Sequence, residues 1–247
     1  LAAFPALRGA IVEKPLGTDL AGSRTFVEAC RERGVVAQVN YWRRADETLR
    51  TLAGGGLARA IGRPRAIWGV YGNGLANNGG HLVDLARMLA GEIESVQAVP
   101  AVPPVPAGPI GGDVDLPFTL HFSDGFAGAV LPVPFDRYRE VALTIWGESG
   151  RLELLQEGLL QRVHPVREHR ALEGEREVAS DAPTELPPTA GRALYRLYDN
   201  LADALDGAAA PWSSLENALR VAAILDAILE SERRGGVAVR VDDALAP

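Results

Sequence analysis

The 247 residues include one cysteine, one methionine and one lysine, and each scarcity excludes something. Cys30 alone forms no internal disulfide, which fits a reducing compartment and sets the expected location as cytoplasmic. It lies in the apolar pattern of a predicted helix, the place of a small core residue rather than of a nucleophile. No apolar run approaches the roughly 20 residues that cross a bilayer, and no signal-peptide pattern stands at Leu1. A basic excess is missing too. The net charge of −7 argues against nucleic acid or an anionic membrane as partner. His121, His164 and His169 have no cysteine or carboxylate at metal-ligand spacing, so no metal is expected.

The shortage of lysine carries the most information. Lys14 stands against 24 arginines, so arginine has taken every position where it serves. Arginine keeps its proton in any protein environment, whereas a partly buried lysine gives it up. The one exception therefore marks a position where a compact, titratable amine is needed.

What is present reads as a globular α/β chain, 47% hydrophobic and 23% charged, long enough for one large core or two smaller ones. Gly9 to Val12 is a short apolar strand ending in Glu13-Lys14-Pro15. Thr18 to Arg33 reads as a helix stopped by Gly34, and Val35 to Val39 as a second strand. Strand, helix and strand within about 30 residues make a parallel βαβ unit, with Lys14 past the carboxyl end of its strand, where open α/β sheets bind ligands. Asp46 to Ala60 is expected to be helical, broken or ended by Gly54-Gly55-Gly56. Pro100 to Gly112 is expected to be irregular. Strands follow at Asp115 to Phe122, Phe126 to Pro132, Val141 to Trp146, Arg151 to Leu155 and Leu159 to Val166, with antiparallel turn signals between them. Glu168 to Pro188 reads as a surface excursion. Helices at Arg192 to Leu205 and Leu215 to Arg233 and an edge strand at Val237 to Val241 complete the chain. Leu1 opens without methionine inside what reads as an element, so a piece of a longer protein is expected.

Between the strands Arg65 to Tyr71 and Ile93 to Val99 lies YGNGLANNGGHLVDLARMLA. Glycines and asparagines lead into an apolar helix whose polar residues His81, Asp84 and Arg87 fall on one stripe. A helix apolar elsewhere is expected to be buried, with that stripe facing a cleft or satisfying itself. With His81 placed in the first turn, the helix dipole disfavours its protonation while Asp84 favours it, leaving a histidine able to exchange a proton near neutral pH.

The segments GAIVEKPLGTDLAGSRTFVEACRERGVVAQVNYWRR, GLARAIGRPRAIWG, NNGGHLVDLARMLAGEIESV and WGESGRLEL resemble the glucose–fructose oxidoreductase, inositol dehydrogenase and rhizopine-catabolism family. The resemblance runs over essentially the whole chain. It implies the end of a dinucleotide-binding (Rossmann) domain over residues 1–44, then an α+β domain with a large, mostly antiparallel open sheet over residues 45–247. It also implies NAD or NADP as cofactor, a sugar, sugar derivative or cyclitol as substrate, and a homo-oligomer. By resemblance Lys14 is the Glu-Lys-Pro lysine that contacts the reacting hydroxyl, and His81 the acid/base histidine. Glu13, Lys14, Pro15 and Arg44 are expected on the cofactor side, and Asn40, Tyr71, Asn77 and Asp84 around the substrate. One position departs from the family. Asn77 stands four residues before His81, where the family usually has aspartate, and an amide orients a ring without charging it. A Gly-rich pyrophosphate loop is the larger omission. Gly72-Asn73-Gly74 is the sole local candidate, and the family pattern explains those residues better. The competing reading is a non-catalytic sugar-binding or assembly module of the same fold.

Overall fold

The computed structural model describes residues 1 and 3–245. Strands β1 (Gly9–Val12) and β2 (Val36–Val39) pair in parallel through helix α1 (Leu20–Glu32). The Asp19 side chain caps that helix by accepting from Gly22 N, and Gly34 ends it with a φ of 62°. Val27 and Cys30, one turn apart, are buried beneath it.

The glycine run at 54–56 kinks its helix without ending it. α2 (Glu47–Thr51) passes through a wide π turn over Leu52–Gly56 and resumes as α3 (Leu57–Ile61). Gly55 takes a φ of 99°, which a side chain would strain. Next come β3 (Pro64–Tyr71), α4 (Gly80–Ala90) and β4 (Ile93–Ala98). The proline-rich stretch is not wholly irregular. β5 (Val105–Pro106) pairs with β6 (Val114–Asp115) in a two-residue ladder.

The remaining strands are β7 (Phe118–Phe122), β8 (Ala127–Pro132), β9 (Ala142–Gly147), β10 (Gly150–Leu155) and β11 (Leu160–Glu168). The charged excursion after them contributes β12 (Arg176–Val178) and β13 (Thr184–Glu185), both laid against β11. Helices α5 (Ala193–Leu205) and α6 (Leu215–Arg233), strand β14 (Val239–Arg240) and helix α7 (Val241–Leu245) follow. The large sheet runs β12-β11-β10-β9-β3-β8-β7-β4-β14, and only the β3–β8 pair is parallel. This is the mixed α/β architecture with a large, mostly antiparallel sheet that the sequence predicts.

Helices cover one face of the sheet, and burial alternates accordingly. Phe118, Leu120 and Phe122 are buried while Thr119 and His121 between them are partly exposed. The opposite face keeps an apolar character: Trp68 is 43% exposed beside Ala129, and Leu131, Val70 and Ala142 share the adjoining row. Helix α6 packs on β4 and meets both α1 and α4, while α5 packs on the separate β1–β2 pair. One hydrophobic core therefore extends from Leu16 to Val241.

Candidate active site

The site is built on the helix that carries His81, and this helix starts earlier than its apolar pattern indicates. A wide turn over Leu75–Gly79 runs directly into α4. Its free amides are satisfied from the β5–β6 hairpin. Asp115 Oδ1 accepts from Gly74 N at 2.9 Å, and the two oxygens of Asp113 accept from Ala76 N and Asn77 N at 3.0 Å each. Gly74, with a φ of 102°, leaves the room this needs, since a Cβ there would strike the Asp113 carboxylate. His81 thus sits in the second helical turn rather than the first. Two carboxylates at the terminus offset the positive end of the dipole, which removes the dipole argument for its protonation state.

Lys14, leaving the carboxyl end of β1, meets the same turn. Its Nζ donates to the Asn77 main-chain carbonyl at 3.1 Å and to Asn77 Oδ1. The Asn77 amide is oriented for this, because its Nδ2 donates to Asn73 O at 3.0 Å. Burial lowers the Lys14 pKa below the usual lysine range, against the raising influence of Glu13 and Asp113. His81 is partly buried, with the ring of Tyr41 edge-on to it at 5.5 Å. Burial, then the positive charges of Arg43 and Lys14, hold the His81 pKa well below 6.5. Its imidazole is therefore neutral at pH 7. Among the described residues neither ring nitrogen has a hydrogen-bond partner, so the ring is available as a proton acceptor.

A model of the C-terminal alpha/beta domain of the Gfo/Idh/MocA oxidoreductase family matches residues 65–241. The chain belongs to that family. The fold agrees with solved structures of similar architecture. A levoglucosan dehydrogenase in complex with NADH and levoglucosan superposes with a TM-score of 0.74 at 20% identity, over 93% of this chain and 72% of that one. The WlbA dehydrogenase from Bordetella pertussis, in complex with NADH and UDP-GlcNAcA, gives 0.67 at 23%, over 94% and 71%. An oxidoreductase from Pseudomonas syringae gives 0.74 at 14%, over 94% and 71%. No curated protein is significantly similar in sequence.

Within this Gfo/Idh/MocA chain the other expected site residues divide. Asn40 Nδ2 donates to Glu13 Oε1 at 2.8 Å, so both lie beside Lys14 at the carboxyl ends of the paired strands. Pro15 follows Lys14 through a cis peptide bond. Tyr71 is a correction. It is fully buried, and its hydroxyl both donates to Leu116 O and accepts from Leu116 N, leaving nothing for a substrate. Asp84 is a second correction, and Arg44 is its partner. Asp84 is 1% exposed and accepts from Arg44 Nε at 2.8 and 3.0 Å and from Asn217 Nδ2 at 2.8 Å, so the two residues brace one another. Asp84 therefore does not turn to His81. Arg87, the last of the stripe, pairs with Glu92 and donates to Asn217. Asp84 and Arg87 are thus satisfied by residues outside the stripe, and among the described residues His81 is left free.

Tyr41, Arg43, Asp113, Asp115 and Asn217 shape the site without having been singled out. Arg43 is nearly buried, and burial lowers its pKa to about 10. Its one sequence signal is adjacency to Asn40 and Arg44 in VNYWRR. Among the described residues no group of three or more His, Cys, Asp or Glu could hold a metal, and no helix is long and apolar enough to cross a membrane.

Proposed function

We propose that this oxidoreductase-family chain serves NAD(P)-dependent hydride transfer to or from a secondary hydroxyl of a sugar, sugar derivative or cyclitol. The carrying observation is the convergence of Lys14, Asn77 and His81, a desolvated amine and a neutral imidazole on adjoining elements. The residues fit the nicotinamide end of such a cofactor. Asn40 Oδ1 is buried beside Glu13 and Lys14 with no partner, an acceptor suited to a carboxamide N–H or a hydroxyl. They do not fit its pyrophosphate. The amides after Gly72-Asn73-Gly74 are taken by Asp113 and Asp115, and those carboxylates would repel an anion.

When bound, the dinucleotide exchanges hydride at its nicotinamide ring. The chain's residues deal with the proton. Asn77 engages two of the three Nζ donors of Lys14, and the third is left to hold the substrate oxygen. Neutral His81 takes the hydroxyl proton as hydride leaves the carbon, and Lys14 stabilises the charge that develops on oxygen. Asn40 is placed to orient a neighbouring hydroxyl.

Residues 1–44 read best as the end of the dinucleotide-binding domain, supported by the parallel β1–β2 pair, and residues 45–247 as the substrate-binding and oligomerisation domain. The apolar outer face around Trp68 and Leu131 supports a dimer or tetramer. A mass of 26.2 kDa by light scattering at high concentration would count against it. The decisive test of function is reduction of NAD+ or NADP+ over a panel of sugars and cyclitols, by protein with a complete dinucleotide-binding domain. Dinucleotide binding without turnover on any polyol would favour a non-catalytic sugar-binding module instead. The 247-residue chain alone should bind the dinucleotide very weakly, and micromolar affinity by calorimetry would reopen the Gly72-Asn73-Gly74 loop as a phosphate site.

A further inference from the structure

Between the α2 region and α4 lies an open cavity of about 340 Å³ that the proposed chemistry does not use. Arg44, Arg50, Arg87, Glu92, Trp212 and Asn217 line it. Arg50 is the unusual member. Its guanidinium lies over the Trp212 ring at 3.6 Å from the centroid, and among the described residues it makes no hydrogen bond or ion pair. Burial and the nearby charge of Arg196 lower its pKa, with no carboxylate raising it. Arg44 spends only Nε on Asp84, so its two terminal nitrogens keep their donors. Arg87 is committed to Glu92 and Asn217. Glu92, the carboxylate in the cavity wall, is already held by Arg87 at 2.7 Å and Arg220 at 3.6 Å.

Arg44, Arg50 and Arg87 thus line the cavity with Glu92, while Asp84 is paired with Arg44 and Arg220 is shared between Glu92 and Asp242, so each carboxylate already has a cationic partner. The uncompensated charge is positive and centred on Arg50, and the free donors of Arg50 and Arg44 are planar forks that match oxyanion geometry. The stacked Trp212 fixes one of those forks in place before any ligand arrives, which reduces the ordering cost of binding. We propose that this cavity binds a small multivalent oxyanion, a phosphoryl group or a polycarboxylate, through Arg50 and Arg44. The volume admits more than a bare phosphate, so the anion's organic part can share the cavity.

The test is titration of the chain with sodium phosphate, with citrate and with sodium chloride at matched ionic strength, read by calorimetry and by thermal melting. Phosphate or citrate should give saturable binding and a raised Tm that chloride does not reproduce, and whichever binds tighter identifies the phosphoryl or the carboxylate source. Arg50→Gln should lose about tenfold or more in affinity, as expected for removing a charge-assisted contact. Arg50→Lys keeps the charge but not the fork and should fall between the two. Circular dichroism checks that both variants fold, and Arg50 is only partly buried, so the substitution is a mild one. Equal effects of all three salts, or unchanged affinity in a folded Arg50 variant, would overturn the proposal.

Discussion

Lys14 Nζ lies 3.1 Å from the main-chain oxygen of Asn77 and also donates to its Oδ1, so one residue on the His81 helix holds the only lysine in the chain. Both acceptors are neutral. The contact therefore positions the amine without adding a negative charge that would secure its proton, and burial is left to dominate its pKa.

Lys14→Arg should abolish most turnover while leaving dinucleotide affinity within several-fold. Guanidinium is permanently protonated, and its planar fork does not reproduce a compact ammonium held by two oxygens of one residue. Loss of a positioned donor to the oxygen on which charge develops costs on the order of 100-fold or more in kcat. Steady-state kinetics on the catalytically complete protein would decide it, and a kcat near wild type would show that the substrate oxygen needs no positioned amine.

The buried imidazole ties stability to pH, with a definite sign. In the unfolded chain His81 binds a proton near 6.5, whereas in the native state its pKa lies well below that value. Between the two the unfolded state carries more protons, so stability falls as pH drops below about 6.5 and levels off beneath the native pKa. One such group gives a slope of at most about 1.4 kcal/mol per pH unit, less here because the ring keeps some exposure. Urea melts of wild type and His81→Asn from pH 7 to 5 should diverge in this sense. Parallel curves would show that the ring is not held neutral.

Asp113→Ala should destabilise the chain by about 1–2 kcal/mol, the usual cost of a lost N-cap. The site is buried at 9% exposure, and the Ala76 and Asn77 amides would lose their partners together. The same change removes a negative charge that raises the Lys14 pKa, so that pKa should fall further. Chemical denaturation reads the first effect. An unchanged midpoint would mean that water replaces the cap at no cost.

That cap also shows where the sequence stops being informative. The βαβ unit, the strand order along the chain and the Lys14–Asn77–His81 grouping follow from local patterns and from two short motifs. Asp113 and Asp115 do not, because they sit 36 and 41 residues from the amides they cap, behind a proline-rich stretch with no periodicity of its own. Tyr71 misleads for a different reason. As the last residue of a strand it could face either side, and only the register with β8 and β9 turns it into the core, onto Leu116. Asp84 likewise looks free to serve His81 until Arg44, 40 residues away, and Asn217, 133 residues away, take its oxygens.

The sharpest prediction concerns Asn77, where the family resemblance leads one to expect aspartate. Asn77→Asp keeps the size and the acceptor toward Lys14, but turns a neutral contact into a charge-assisted one. A carboxylate at hydrogen-bond distance from Nζ favours the ammonium, so the Lys14 pKa should rise from its lowered value. The same charge, one helical turn before His81, should raise the imidazole pKa as well. Because the chain has a single lysine, isotope-labelled lysine gives one side-chain NMR signal, and its titration can be followed without assignment. In the catalytically complete protein the pH profile of kcat should move to higher pH with it. If the Lys14 signal titrates identically in the two proteins, the lysine is not bonded to the Asn77 side chain, and the positioning role argued here fails.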